Sequence, residues 1–320
     1  MESFQISLSN GITIKFNNNQ KIFLDPKISD SISFVSHAHS DHIPRKIITP
    51  PYCTKETYEL IKLKQPNFKA NVLKENRKMK FDEFSVKLIS SGHMLGASQV
   101  FIELDGCSIL YTGDFKLWQG LTSKAINIQE ADVLITEATY GLPKFNFPLI
   151  EETREKLIRW VMEQLKKGYN VNLGCYPVGK SQEVIKLLNR YGLIPQVSES
   201  VRKYSEVYNS FGVNLKFLEK EESERIFIRP MHIVYRFRSK KAKSCVLTGW
   251  ALFKNYGCFG LPLSDHCDFN QLILFAQQVN PKQVYCFHGY VNELAREIRK
   301  KLKAKTRVIQ KQGQKLLTQF

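Results

Sequence analysis

The sequence predicts an α/β protein, on three observations. Short strands with turn chemistry open the chain, and apolar stretches end repeatedly in histidine or carboxylate side chains. The middle third alternates helical and extended patterns, which implies a parallel sheet with right-handed crossovers.

Residues 4–8, 12–16 and 21–24 read as strands separated by Ser-Asn-Gly and Asn-Asn-Asn turns. Asp25-Pro26 closes the last of them. A carboxylate there can receive an N–H from a ligand histidine and fix its tautomer, although a plain turn-initiating Asp also fits. The apolar stretch ending at Val35 runs straight into Ser36-His37-Ala38-His39-Ser40-Asp41-His42, so four metal-ligand side chains leave one strand end. Alternation places His37, His39 and Asp41 on one side, and the turn after them swings His42 round. Two adjacent ions can then be served.

Residues 54–63 suggest a helix, and 74–80 form a basic connector to which no function is assigned. The alternating stretch 84–89 delivers His93 in a Gly-flanked loop. Residues 99–104 and 108–112 read as a hairpin around Asp105-Gly106 that ends at Thr112-Gly113-Asp114. Asp114 is a candidate bridging ligand, since one carboxylate can give an oxygen to each of two metals. The buried stretch 131–137 repeats the device with Glu137.

From 147 to 258 ligand-type clusters are missing. Helices are expected at 152–167, 181–189 and 201–209, and strands at 170–175, 194–197, 214–218, 225–228 and 244–248, a small Rossmann-like unit. The run from Arg236 to Lys243 interleaves charge with Tyr235 and Phe237. Arg236, Arg238, Lys240 and Lys241 are candidates for phosphate contact, against the alternative of a solvated loop. Ligand chemistry then returns with Ser264-Asp265-His266 before a helix at 271–278, and with His288 at the end of a strand at 283–287. A helix at 291–303 and a strand at 307–310 follow. Of the seven histidines only His232 lies outside a strand-end loop, a concentration that packing alone does not explain.

At 320 residues the chain can form one large domain or two modest ones. Its net charge of +17 fits either a solubility device or a polyanionic partner, and the ligand cluster tips the balance toward phosphate. Seven cysteines without a Cys-x-x-Cys pair argue for reduced thiols and against a disulfide frame or a zinc ribbon. No apolar run approaches bilayer length and no leader-like segment opens the sequence, so a soluble cytoplasmic protein without a membrane partner is expected.

With these residues in place, the chain resembles the metallo-β-lactamase-fold nucleases of the β-CASP group. Asp25, His37-Ala-His39-Ser-Asp41-His42, His93, Asp114, Glu137, His266 and His288 match the group's motifs in order. The stretches from Tyr176 to Glu183, Thr248 to Ala251, Leu263 to Asp268 and His288 to Tyr290 are similar to the compact archaeal and bacterial exonucleases. That branch is named either for messenger-RNA 3′-end processing or for association with DNA ligase. The resemblance implies an αββα metallo-β-lactamase sandwich from 1–146 and 259–320, with a small Rossmann-like β-CASP domain inserted at 147–258.

The resemblance also implies two Zn2+ ions, with Mn2+ as the alternative. His37, His39, His93 and Asp114 would hold one ion, and Asp41, His42, Asp114 and His288 the other, with a bridging hydroxide as nucleophile. His266 would be the general acid, oriented by Glu137, and Asp41 is counted as catalytic as well as ligating. Asp25 would stand behind the ligands, and Ser264 and Lys180 are candidates for holding a phosphate oxygen. His288 is followed by Gly-Tyr rather than the Gly-Glu of polyadenylation-type endonucleases, so exonuclease action is expected. The expected substrate is single-stranded RNA, fed through a basic cleft between the two domains. The alternative is a DNA exonuclease of DNA repair. A lactonase or thioesterase would leave the basic charge, Glu137 and His266 unexplained, and a pure binding protein would not need a complete ligand set.

Overall fold

The computed structural model describes residues 4–104, 106–219, 225–237 and 239–309. Asp105 of the expected Asp-Gly turn, Arg238 and Gln310 therefore lie outside the described residues. The chain divides into two compact units. The first takes the described residues up to Leu117, Ala125–Asn146 and those from His266 on; the second takes Trp118–Lys124 and Phe147–Asp265.

In the first unit, strands Phe4–Ser9, Gly11–Phe16 and Lys21–Leu24 pair antiparallel, as the turn residues between them require. The short strands Ser33–Phe34, Tyr52–Cys53 and Asn71–Val72 extend this sheet in parallel. A seven-stranded sheet runs in the order Lys305–Val308, Gln283–Gly289, Val133–Ala138, Cys107–Tyr111, Ser98–Leu104, Phe84–Ser90 and Met79–Lys80. Its first four strands are mutually parallel. Phe84–Ser90 and Cys107–Tyr111 both pair antiparallel with Ser98–Leu104, so they too run the same way. The strands that precede His93, Asp114, Glu137 and His288 thus all end at the same edge.

Period-two alternation decides which face each strand buries. Val86, Leu88, Ile109, Tyr111, Val133, Ile135, Tyr285 and Phe287 share one core with Ile12, Ile14, Ile22, Leu24 and Phe34 of the first sheet. The residues between them, Ile89, Leu110, Leu134, Val284 and Cys286, form a second core with two helices, Phe269–Val279 and Val291–Leu302. Each fully buried side chain of this size contributes about 1.5–3 kcal/mol, so the sheet is held from both faces. Helix Phe269–Val279 starts sharply because Asp268 and Gln271 form a reciprocal capping box, and it stops at Asn280 in a left-handed conformation. Helix Lys55–Lys62 is capped by Thr54.

The second unit holds a five-stranded, all-parallel sheet in the order Gln196–Val197, Ile226–Pro230, Asn170–Cys175, Ala242–Leu247 and Phe259–Leu261. Helix Ile150–Lys166 leads into its first strand in the chain, and Lys180–Arg190 and Glu199–Ser210 lie in the connections between later ones. The strand expected at 214–218 does not form. Asn209 bonds both the N–H and the carbonyl of Leu215, and Asn189 does the same to Lys216. These side chains take the backbone groups that a neighbouring strand would use, leaving one bridge from Leu218 to Gln196. All seven cysteines are free thiols, and no described helix is long and apolar enough to cross a membrane.

Candidate metal centre

The first sheet delivers Ser36 and then His37 after the buried pair Phe34 and Val35. The backbone N–H of His42 bonds the carbonyl of His39, closing the turn that returns His42 to the cluster. His93 comes from the loop after Phe84–Ser90. Asp114 follows Gly113, whose φ is +56° and whose Cα lies so near Ser36 that an added Cβ would sit 2.7 Å from the serine Cβ. Only glycine allows that approach, and it brings the carboxylate against the histidines.

The ligand atoms of His37, His39, His93 and Asp114 all lie within 4.8 Å of one another. His37 Nε2 is 3.0 Å and His93 Nε2 3.1 Å from His39 Nδ1, and His37 Nε2 is 3.4 Å from Asp114 Oδ2. Four ligands arranged tetrahedrally at about 2.0–2.1 Å from one ion stand roughly 3.3–3.4 Å apart, so this donor set fits a metal of zinc's size. The same Asp114 oxygen also faces His42 Nε2 at 3.5 Å, and His42 Nε2 lies 3.6 Å from Asp41 Oδ2. Asp114 Oδ2 is therefore common to both groups of donors.

The rings are aimed by groups behind them. Ser36 Oγ donates to Asp25 Oδ2 at 2.6 Å and, its one proton so committed, accepts from His37 Nδ1 at 2.9 Å. That tautomer leaves the His37 Nε2 lone pair directed at the cluster. His42 Nδ1 donates to the same Asp25 oxygen at 2.6 Å, which turns its Nε2 toward the cluster. Asp25 is itself held by the Ser36 N–H and the Tyr111 hydroxyl, and adopts an uncommon left-handed φ of 48°. Burial and the Asp25 carboxylate push the Tyr111 hydroxyl well above its usual range, so it stays protonated and donates.

Electrostatics follow from the crowding. Burial and the neighbouring His37 lower His39 to about 3, and burial with His37 and His266 holds His93 well below the usual histidine range. Both are neutral and ready to ligate. For His42, burial opposes the charge but Asp114 and Asp25 outweigh it, raising the group to about 10. Asp114 is buried, yet His42, His266 and His37 hold it well below the usual carboxylate range. Asp41 is exposed; the partial desolvation its neighbours impose is outweighed by His42, and its pKa is lowered.

A third group joins Asp114, Glu137 and His266. His266 Nδ1 is 2.9 Å from Glu137 Oε1, while its Nε2 lies 3.9 Å from Asp114 Oδ2. Glu137 is almost wholly buried and also accepts from the Phe115 N–H and the Thr139 hydroxyl, so its direction is fixed. The residue after His266 is anchored too, the Cys267 N–H bonding the Phe115 carbonyl.

His288 stands apart. It is exposed, has a φ of 55°, and among the described residues belongs to neither the His39 group nor the His266 group. Lys180, expected at a phosphate oxygen, is only 2% exposed and lies 3.0 Å from Asp265 Oδ2. A buried ammonium neutralised by a carboxylate has little charge to offer a ligand. Ser264 is buried, whereas Arg236, Lys240 and Lys241 are exposed on the second unit. Ser36, Tyr111 and Thr139 were not among the expected site residues. Their signal in the sequence is weak, a hydroxyl one to three positions from a ligand-type residue.

No family model matches the sequence. A probable DNA ligase of Opitutus terrae is 29% identical over 87% of this chain, and an RNase J-like protein of Methanocaldococcus jannaschii is 30% identical over 52% of it. A DNA cross-link repair 1A protein of Gallus gallus is 23% identical over 78%. Relatives with these names indicate the metallo-β-lactamase β-CASP nuclease family. The chain spans 29%, 45% and 29% of the length of these three relatives. A solved protein of unknown function from Enterococcus faecalis V583 shares the fold, with a TM-score of 0.69, 14% identity and 97% of each chain covered.

Proposed function

We propose that the chain is a metal-dependent phosphodiesterase, an exonuclease acting on single-stranded RNA. The observation that carries this reading is the division of His266, with one ring nitrogen on the buried Glu137 and the other facing the oxygen common to both donor groups. A histidine so placed can give a proton to a departing oxygen without being needed to hold a metal.

His37, His39, His93 and Asp114 would hold one ion, and Asp41, His42 and Asp114 a second; zinc suits these donors and manganese is the alternative. Bound divalent metal supplies Lewis acidity, which makes water nucleophilic near neutral pH and offsets charge developing on the phosphate. The protein's own residues do the rest. Asp25 and Ser36 keep His42 and His37 turned inward. Glu137 stabilises the His266 imidazolium and holds its Nε2 toward the leaving 3′-oxygen. The same reading takes the first unit as an αββα sandwich and residues 147–258 as an inserted Rossmann-like β-CASP domain. The free thiols favour a cytoplasmic setting.

DNA is the second reading. The relative matched over 87% of this chain is named a probable DNA ligase, which favours a DNA substrate. End-labelled RNA and DNA of one sequence, digested side by side, separate the two. The expected result is a one-nucleotide ladder on RNA that a chelator abolishes and zinc or manganese restores. Cleavage of DNA alone favours the second reading, and no cleavage of either by fully metallated protein overturns both.

A further inference from the structure

The second unit carries a cation held between two aromatic rings, far along the sequence from any ligand residue. The Arg229 guanidinium lies 3.7 Å from the centre of the Phe237 ring and 4.8 Å from that of Phe227. Asn172, 3% exposed on the strand Asn170–Cys175, fixes both partners. Its Oδ1 accepts from Arg229 Nε at 3.1 Å, and its Nδ2 donates to the Phe237 carbonyl at 3.3 Å. A buried amide spending both ends of its side chain on one stack builds that stack in advance. Yet 38% of Phe237 remains exposed, so a ring fixed in place still presents open surface. The charges alongside are cationic, with Arg236 next in the chain and Lys240 and Lys241 just beyond, all exposed.

We propose that Phe237, backed by Arg229, is a stacking platform for a base of single-stranded nucleic acid, with Arg236, Lys240 and Lys241 contacting the flanking phosphates. An aromatic face accepts any base, and neighbouring cations follow the backbone, which together give sequence-tolerant single-strand binding. The platform deepens the nuclease reading and rests on it for the identity of the partner. It assigns substrate grip to a surface separate in sequence from the ligands.

The test uses the full metallated chain and a phosphorothioate single strand that resists cleavage, beside an abasic strand of equal charge. Phe237→Ala is expected to weaken binding of the base-bearing strand roughly ten- to a hundredfold. Binding of the abasic strand and hydrolysis of a nitrophenyl phosphodiester should stay unchanged. Phe237→Trp should keep the affinity, and its indole emission should be quenched by the base-bearing strand alone. Unaltered affinity of Phe237→Ala for the base-bearing strand, or equal quenching by both strands, would overturn the platform. Failure of the unaltered protein to hydrolyse the phosphodiester would overturn the nuclease reading instead, while the binding comparison would still decide the platform.

Discussion

Asp25 Oδ2 and His42 Nδ1 lie 2.6 Å apart, and the same carboxylate oxygen also accepts from Ser36 and Tyr111. One side chain behind the cluster therefore sets the tautomer of His42 directly and that of His37 through Ser36.

Asp25→Asn keeps the shape and tolerates the left-handed backbone, but removes the charge that holds these rings. The variant should fold, and its metal affinity should fall about 10- to 100-fold, as losses behind a ligand usually do. Competition with a chromophoric chelator measures this, and wild-type affinity would remove Asp25 from the account.

Metal loading should release about one proton per chain near neutral pH. His42, raised to about 10 in the metal-free protein, carries a proton that it must lose to ligate, whereas His39 at about 3 has none to lose. Affinity should therefore rise with pH below 10. Titration calorimetry in two buffers of different ionisation enthalpy counts the proton, and a buffer-independent heat would contradict the charge state given to His42.

Gly113→Ala should cost about 1–3 kcal/mol, because it forces a side chain into a left-handed conformation. The new Cβ also meets the Ser36 side chain, so Asp114 must shift and bound metal should fall with stability. A destabilised variant with full metal content would show that the close approach does not position Asp114.

Lys180 begins a helix, where a cation is disfavoured, and Asp265 offsets its charge in the buried pair described above. Lys180→Met should destabilise by about 3–5 kcal/mol, and adding Asp265→Leu should recover most of that loss. Denaturant unfolding of the two variants checks it. Equal stability of the single and double variants would mean that the pair is not coupled.

Much of this site was legible in the sequence because ligands cluster at strand ends and strand ends are marked by apolar runs. His37, His93, Asp114 and Glu137 each follow such a run, and the strands of the last three share one direction in the seven-stranded sheet, so their convergence follows from topology. The roles of Ser36 and Tyr111 were not legible. A hydroxyl becomes a relay only when folding brings a carboxylate from elsewhere in the chain against it, and Asp25 lies 86 positions from Tyr111. His288 was placed at the correct strand end, but alternation does not say where a side chain points once its residue turns left-handed. Lys180 looked like a phosphate ligand because the sequence does not show that Asp265 is buried against it. The strand expected at 214–218 failed for a similar reason, since Asn189 and Asn209 hold its backbone from two different helices.

In the proposed mechanism His266 moves a proton and holds no metal. Metal content and leaving-group dependence of His266→Ala, measured on one preparation, test it most directly. The variant should keep full metal occupancy, lose about 10²–10⁴ in rate on a natural phosphodiester, and lose much less on a nitrophenyl diester whose leaving group needs no proton. Depleted metal, or an equal loss on both substrates, would contradict it.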